Sequence, residues 1–149
     1  MTHGNISPRV VAERMQWIQS MLAQLRNLPF ADRDIFFADP RNHLASESCL
    51  RRALEALLDL GRHIMAKGFG IPVEEYKAIG PALEKKGIIS KEDAALFKVL
   101  AGYRNRMVHF YHEISEQEIY EICSEQIGDV ERLLDVMRGW LTKNMDTTP

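Results

Sequence analysis

Residues 100–112 read Leu100-Ala101-Gly102-Tyr103-Arg104-Asn105-Arg106-Met107-Val108-His109-Phe110-Tyr111-His112, and the chain on either side reads as scaffold that holds them. Leu96, Leu100, Tyr103 and Met107 recur at intervals of three and four, with Phe97, Ala101 and Val108 beside them, which predicts the end of an amphipathic helix. Arg104 falls at the edge of that apolar stripe, where a merely solvated charge is out of place. Asn105 and His109 are four apart and so share one helical face. Arg104 is turned about 100° from Asn105 on an ideal helix, but its long side chain can swing its fork to the same spot. A cationic fork, an amide and an imidazole then converge. That set suits a phosphodiester: arginine grips phosphate oxygens bidentately, and an imidazole can move a proton near neutral pH.

Working outward, Ser90-Lys91-Glu92-Asp93 has the Ser-x-x-acid form of a helix start and introduces the helix that carries Arg104. Ser115-Glu116-Gln117-Glu118 repeats the signal and opens a last helix with Ile119, Ile122, Gln126, Ile127, Val130, Leu133, Met137 and Leu141 as its inward stripe. Toward the N-terminus, Pro8 opens a first helix with Val11, Met15, Ile18, Leu22 and Leu25 inward, ending near Leu28-Pro29. Residues 30–40 read as a loop or short helical turn. A longer helix over residues 41–67 places Leu50, Leu54, Leu57, Gly61 and Ile64 inward, and Gly68-Phe69-Gly70 stops it. Residues 72–86 predict a shorter helix interrupted at Gly80-Pro81 and closed by Gly87. No stretch alternates as a strand does between hairpin turns. The expected architecture is therefore all-α, an up-and-down bundle of four to five helices in one domain over residues 1–149, with frayed ends at about 1–7 and 144–149.

The chain's 149 residues suffice for one core and are too few for two comfortable ones. A net charge of −2 argues against a broad nucleic-acid-coating surface and leaves room for a local basic cleft. The N-terminus lacks the basic-then-apolar pattern of a signal peptide, and no window approaches the roughly 20 apolar residues that span a bilayer. Cys49 and Cys123 lie far apart without neighbouring ligands, which favours reduced thiols and a cytoplasmic location over a disulfide or metal site. The sequence offers no Gly-rich phosphate loop and no Ser-His-Asp arrangement.

Arg104-x4-His109-x-Tyr111 resembles the signature of the HEPN superfamily, specifically the HepT-like toxins of prokaryotic toxin-antitoxin pairs. The run Leu57-Leu58-Asp59-Leu60-Gly61-Arg62-His63-Ile64 and the stretch over residues 76–87 also look like that family, so the resemblance covers nearly the whole chain. It implies a HEPN-like bundle acting as a homodimer whose motif segments face a shared basic cleft. It further implies a metal-independent endoribonuclease toxin of a type VII-like pair, with no cofactor. Carried over by position, Arg104 contacts the phosphate, His109 is general base or acid, and Asn105 orients the histidine or the phosphate. The RNA's own 2′-hydroxyl attacks phosphorus and leaves a 2′,3′-cyclic phosphate, which is why no metal set is needed. Tyr111 matches the tyrosine that a minimal nucleotidyltransferase antitoxin modifies with AMP, adding bulk and negative charge beside the site.

Each residue also has a plainer reading. Arg104 can pair with a carboxylate such as Asp59, Asn105 can cap a helix end, His109 can complement the helix dipole, and Tyr111 can pack. Arg51, Arg52, Arg62, His63 and Lys67 form a basic series that either widens an RNA groove or is simply solvated. Asp59 and His63, four apart, can pair. The functional alternative to a nuclease is a non-catalytic HEPN module that serves as dimeric partner or substrate of the nucleotidyltransferase.

Overall fold

The computed structural model of the chain describes residues 5–109 and 114–145. These hold six α-helices and no strand: α1 Pro8–Arg26, α2 Arg33–Ala38, α3 Pro40–His63, α4 Ile79–Lys85, α5 Lys91–His109 and α6 Glu116–Asn144. Helices α2 and α4 have only 6 and 7 residues, so the bundle rests on the four long ones. None of the described helices is long and apolar enough to cross a membrane.

The long helices start where the sequence supplies a cap. The Ser7 hydroxyl accepts from the Val10 N–H at 3.2 Å ahead of Pro8, and the Asp39 carboxylate from the Arg41 N–H at 3.0 Å ahead of Pro40. Ser90 and Ser115 cap α5 and α6, their hydroxyls accepting from the Asp93 and Glu118 N–H groups at 3.1 Å. Order extends ahead of α1: Ile6 is buried, and the Ser7 N–H donates to His63 Nε2 at 3.0 Å.

Side-chain pairs fix the helix directions. Ser7 at the start of α1 meets His63 at the end of α3, so these helices run antiparallel. Helices α5 and α6 do too: Arg106 at the end of α5 pairs with Glu118 at the start of α6, and Asp93 near the start of α5 pairs with Arg132 further along α6. Helix α3 runs through the middle, with Leu50, Leu54, Leu57, Leu58 and Leu60 fully buried. Removing each such leucine from water contributes about 1.5–3 kcal/mol, which makes α3 the axis of the fold. It continues through a π-helical turn, Ile64–Gly68, and the run closes at Gly70 with φ +67°.

Residues 72–86 depart from the expected interrupted helix. Residues 71–75 have no regular secondary structure, Tyr76–Ala78 form one 3₁₀ turn, and α4 begins only at Ile79. Pro81 thus falls in the first turn of α4, where a backbone N–H has no intrahelical acceptor to lose, so the proline starts the helix and does not kink it. Two glycines let α4 wedge between α3 and α5. A Cβ on Gly61 would lie 2.6 Å from Ile79 Cγ2, and one on Gly80 would lie 2.6 Å from the Ala94 carbonyl oxygen and 2.8 Å from Phe97 Cβ. This close seating sets the 3₁₀ turn, with Tyr76, against the last turns of α5.

Candidate functional site

Arg104, Asn105 and His109 all lie within the last two turns of α5. They line one side of a cleft of about 410 Å³, and Arg62 with residues 74–77 forms the rest of its wall. The Arg104 Nη1 donates to Asn105 Oδ1 at 3.3 Å, so the long arginine does swing to its neighbour's side of the helix. His109 is exposed at the cleft mouth. The fourth sequence-predicted residue, Tyr111, lies outside the described residues.

The carboxylate beside Arg104 is Glu55 and not Asp59. Glu55 Oε1 lies 3.8 Å from Arg104 Nε and accepts from Arg51 Nη1 at 3.0 Å, so one carboxylate serves two arginines. Arg104 Nε is buried without a hydrogen-bond partner among the described residues. The Arg104 Cζ lies 4.6 Å from the centroid of the Tyr76 ring, and so does that of Arg62. The Tyr76 hydroxyl donates to Asp59 Oδ1 at 2.8 Å. Burial first, and then that bond to Asp59, push the Tyr76 hydroxyl above its ordinary value, so it stays a donor at neutral pH.

Arg62 is committed to the scaffold. Its Nε and Nη2 donate to the carbonyls of Val73 and Glu74 at 2.9 and 2.7 Å, and its Nη1 to Asp59 at 3.2 Å. These bonds pin the irregular segment before Tyr76 onto α3. The expected Asp59–His63 pair does not form: Asp59 is taken by Arg62 and Tyr76, and His63 accepts from the backbone of Ser7. Of the basic series on α3, only Arg62 reaches the cleft wall. The cleft carries three cations, Arg62, Lys77 and Arg104, against Glu74 and Glu75, so one copy of the chain offers little net positive charge. Among the described residues, no three His, Cys, Asp or Glu side chains group as a metal site requires.

Tyr76, Glu55, Lys77 and the acidic pair were absent from the sequence reading. Tyr76 precedes Arg104 by 28 residues and sits on a turn whose start the sequence does not mark. Glu55 is a helical acid like any other until α5 is laid against α3.

The all-α bundle is shared with solved structures of other proteins. The solved structure of tri-AMPylated Shewanella oneidensis HEPN toxin in complex with MNT antitoxin superposes with a TM-score of 0.79 at 19% identity, covering 89% of this chain and 99% of that one. Bacillus subtilis YutE, of unknown function, gives a TM-score of 0.81 at 17% identity over 98% of both chains. The chain belongs to the ribonuclease HepT-like family, whose model matches residues 18–137. Among curated relatives it is 26% identical over 121 residues to the tRNA nuclease HepT of Aphanizomenon flos-aquae, covering 80% of this chain and 82% of that protein. It is 26% identical over 91 residues to the mRNA nuclease HepT of Shewanella oneidensis, covering 60% of this chain and 68% of that one.

Proposed function

We propose that this protein is an endoribonuclease toxin whose working residues are Arg104, Asn105 and His109. The observation that carries the reading is that these three share one cleft, with most of the Arg104 donors uncommitted among the described residues and its fork restrained beside Tyr76. The family and its curated nucleases support it. In this reaction the 2′-hydroxyl oxygen of RNA bonds to phosphorus and the P–O5′ bond breaks. The 2′-hydroxyl gives up its proton, the departing O5′ gains one, and a 2′,3′-cyclic phosphate remains. His109 carries one of those transfers; Arg104 holds the non-bridging oxygens as charge builds on them, and Asn105 orients the fork. The nucleophile belongs to the substrate, so the step needs no metal and no cofactor.

The working form we propose is a homodimer, as the family resemblance implies. One copy's cleft has three cations against two carboxylates, and a second motif facing it would set a second Arg104 and His109 along the same RNA strand. The partner is a minimal nucleotidyltransferase antitoxin that transfers AMP to Tyr111, a reading supported by the AMPylated toxin–MNT complex that shares the fold. Tyr111 is two residues past His109, so an added phosphate repels the RNA backbone where it must bind.

The test is cleavage of mixed cellular RNA with chelator present, by wild type and by Arg104→Ala and His109→Ala, with the intact mass of each protein checked. Cutting that yields cyclic-phosphate ends and is lost in both variants supports the assignment. Unmodified wild-type protein that cuts nothing, yet takes up AMP at Tyr111, overturns it in favour of a binding module.

A further inference from the structure

Arg104 is more loosely bonded than its role demands. Its one side-chain hydrogen bond, to Asn105, is 3.3 Å long, Glu55 stands off at 3.8 Å, and the buried Nε bonds to nothing among the described residues. An arginine side chain has many rotamers, and these contacts alone leave several open. Among the described residues the remaining constraint is the Tyr76 ring, 4.6 Å from its Cζ.

Tyr76 is itself immobilised from three directions. Its hydroxyl bonds to Asp59 at 2.8 Å, the Arg62 guanidinium lies 4.6 Å from its centroid, and Arg62 also anchors the backbone just ahead of it through the Val73 and Glu74 carbonyls. Asp59 and Arg62 belong to α3, the most buried element of the fold. A continuous chain of contacts therefore runs from the rigid core, through Tyr76, to the arginine at the cleft. A ring with a guanidinium over it offers no free stacking surface on that side, so holding the arginine is a better use for it than holding a base.

We propose that Tyr76 is a positioning residue that aims the Arg104 fork into the cleft, acting through its ring, with Asp59 and Arg62 fixing the ring in turn. The kinetic arm of the test rests on the nuclease reading; the spectroscopic arm does not. RNA contacts many phosphates, so a misaimed Arg104 costs alignment at the reacting phosphorus more than it costs binding.

The experiment compares wild type, Tyr76→Phe and Tyr76→Leu for kcat and KM on one RNA. In parallel, the Arg104 Nε–Hε NMR signal is followed, assigned by its loss in Arg104→Lys. The expected result for Tyr76→Leu is a kcat lowered ~10-fold or more, a KM within ~3-fold, and a displaced Arg104 signal, since the ring current acting on it is gone. Tyr76→Phe keeps the ring and is expected to restore kcat to within ~3-fold of wild type. A Tyr76→Leu protein with wild-type kcat, or with an unmoved Arg104 signal, overturns the proposal. If Tyr76→Leu fails to fold, nuclear Overhauser contacts between the Tyr76 ring protons and the Arg104 side chain in wild type decide: present they support it, absent they overturn it. If wild type cuts no RNA the nuclease reading falls, and the Arg104 signal alone decides the role of Tyr76.

Discussion

The Arg106 guanidinium donates to both carboxylate oxygens of Glu118, Nη1 to Oε2 and Nη2 to Oε1, each at 2.8 Å. This two-pronged pair clasps the end of α5 to the start of α6 and brackets the connection that follows His109. The Arg106 bonds hold the Glu118 carboxyl below its ordinary value of 4.5. A depressed carboxyl contributes stability above its unfolded value and loses it as pH falls through the folded one. Both side chains are about a third exposed, so solvent screens the pair and its worth at pH 7 is roughly 0.5–1 kcal/mol. Denaturant unfolding is expected to show Glu118→Gln weaker than wild type by that amount at pH 7, with the gap closing below about pH 4. Equal stability at pH 7 would remove the clasp from the account.

His63 predicts a pH effect of the same sign at the other end of the bundle. Its Nε2 accepts from the Ser7 N–H at 3.0 Å, which a protonated imidazole cannot do. Burial first, and then the charges of Lys67 and Arg14, hold it below the ordinary 6.5. The neutral form is the folded one, so the contribution is complete above 6.5 and is lost as pH falls through the lower folded value. Thermal unfolding scanned from pH 7.5 down to 5 is expected to show wild type losing stability more steeply than His63→Gln, whose amide oxygen accepts at any pH. Parallel curves would mean that His63 takes up its proton as readily in the folded chain as in the unfolded one, and that the Ser7 bond does not hold it neutral.

Much of this architecture is written locally, and the parts that are not share a cause. Ser90, Ser115, Pro8, Gly70 and Gly87 act within a few residues, and the helices start and stop at them. The convergence of Arg104 with Asn105 and His109 was likewise a matter of helical spacing along one element. Pro81 misled because a proline signals a break whether it stands at the start of a helix or in its middle, and only the irregular segment before the turn distinguishes the two. Tyr76 and Glu55 reach Arg104 from other elements, and His63 finds Ser7 across the bundle. Such partners are fixed by how helices pack, which no spacing within one helix encodes.

Gly80 and Gly61 allow a graded test of that packing. A Cβ at Gly80 meets the Ala94 carbonyl oxygen at 2.6 Å, and helix backbone cannot yield without moving α5. A Cβ at Gly61 meets a side-chain methyl of Ile79 at 2.6 Å, which can give somewhat. Both changes gain helix propensity of up to ~1 kcal/mol, and overpacking costs ~1–3 kcal/mol or more. Gly80→Ala is expected to lose about 2 kcal/mol or more in denaturant unfolding, and Gly61→Ala clearly less. The reverse order would mean that α4 does not sit against α5 as described. Since α4 carries the Tyr76 turn, Gly80→Ala is also expected to lower RNA cleavage at temperatures where the protein remains folded.

Glu55 separates the electrostatic from the geometric role of the Arg104 surroundings. Its carboxylate accepts from Arg51 at 3.0 Å and stands 3.8 Å from Arg104, so on the proposed assignment it would neutralise part of the charge that Arg104 offers a phosphate. Glu55→Gln keeps the size and one acceptor oxygen and removes the charge. RNA affinity, measured with a 2′-O-methyl oligonucleotide that lacks the nucleophile, is expected to rise at low salt. The slope of log affinity against log salt is expected to steepen by up to ~0.7, the increment for one further phosphate neutralised on a single strand. Turnover on ordinary RNA is expected to move the other way, because the Arg104 fork would lose a restraint and its stronger grip would act on substrate as much as on the transition state, which does not speed the step. Tighter binding with slower cutting marks Glu55 as a group that trades affinity for alignment. An unchanged salt slope would mean that its charge never reaches the bound strand, and that Arg51 alone is its partner.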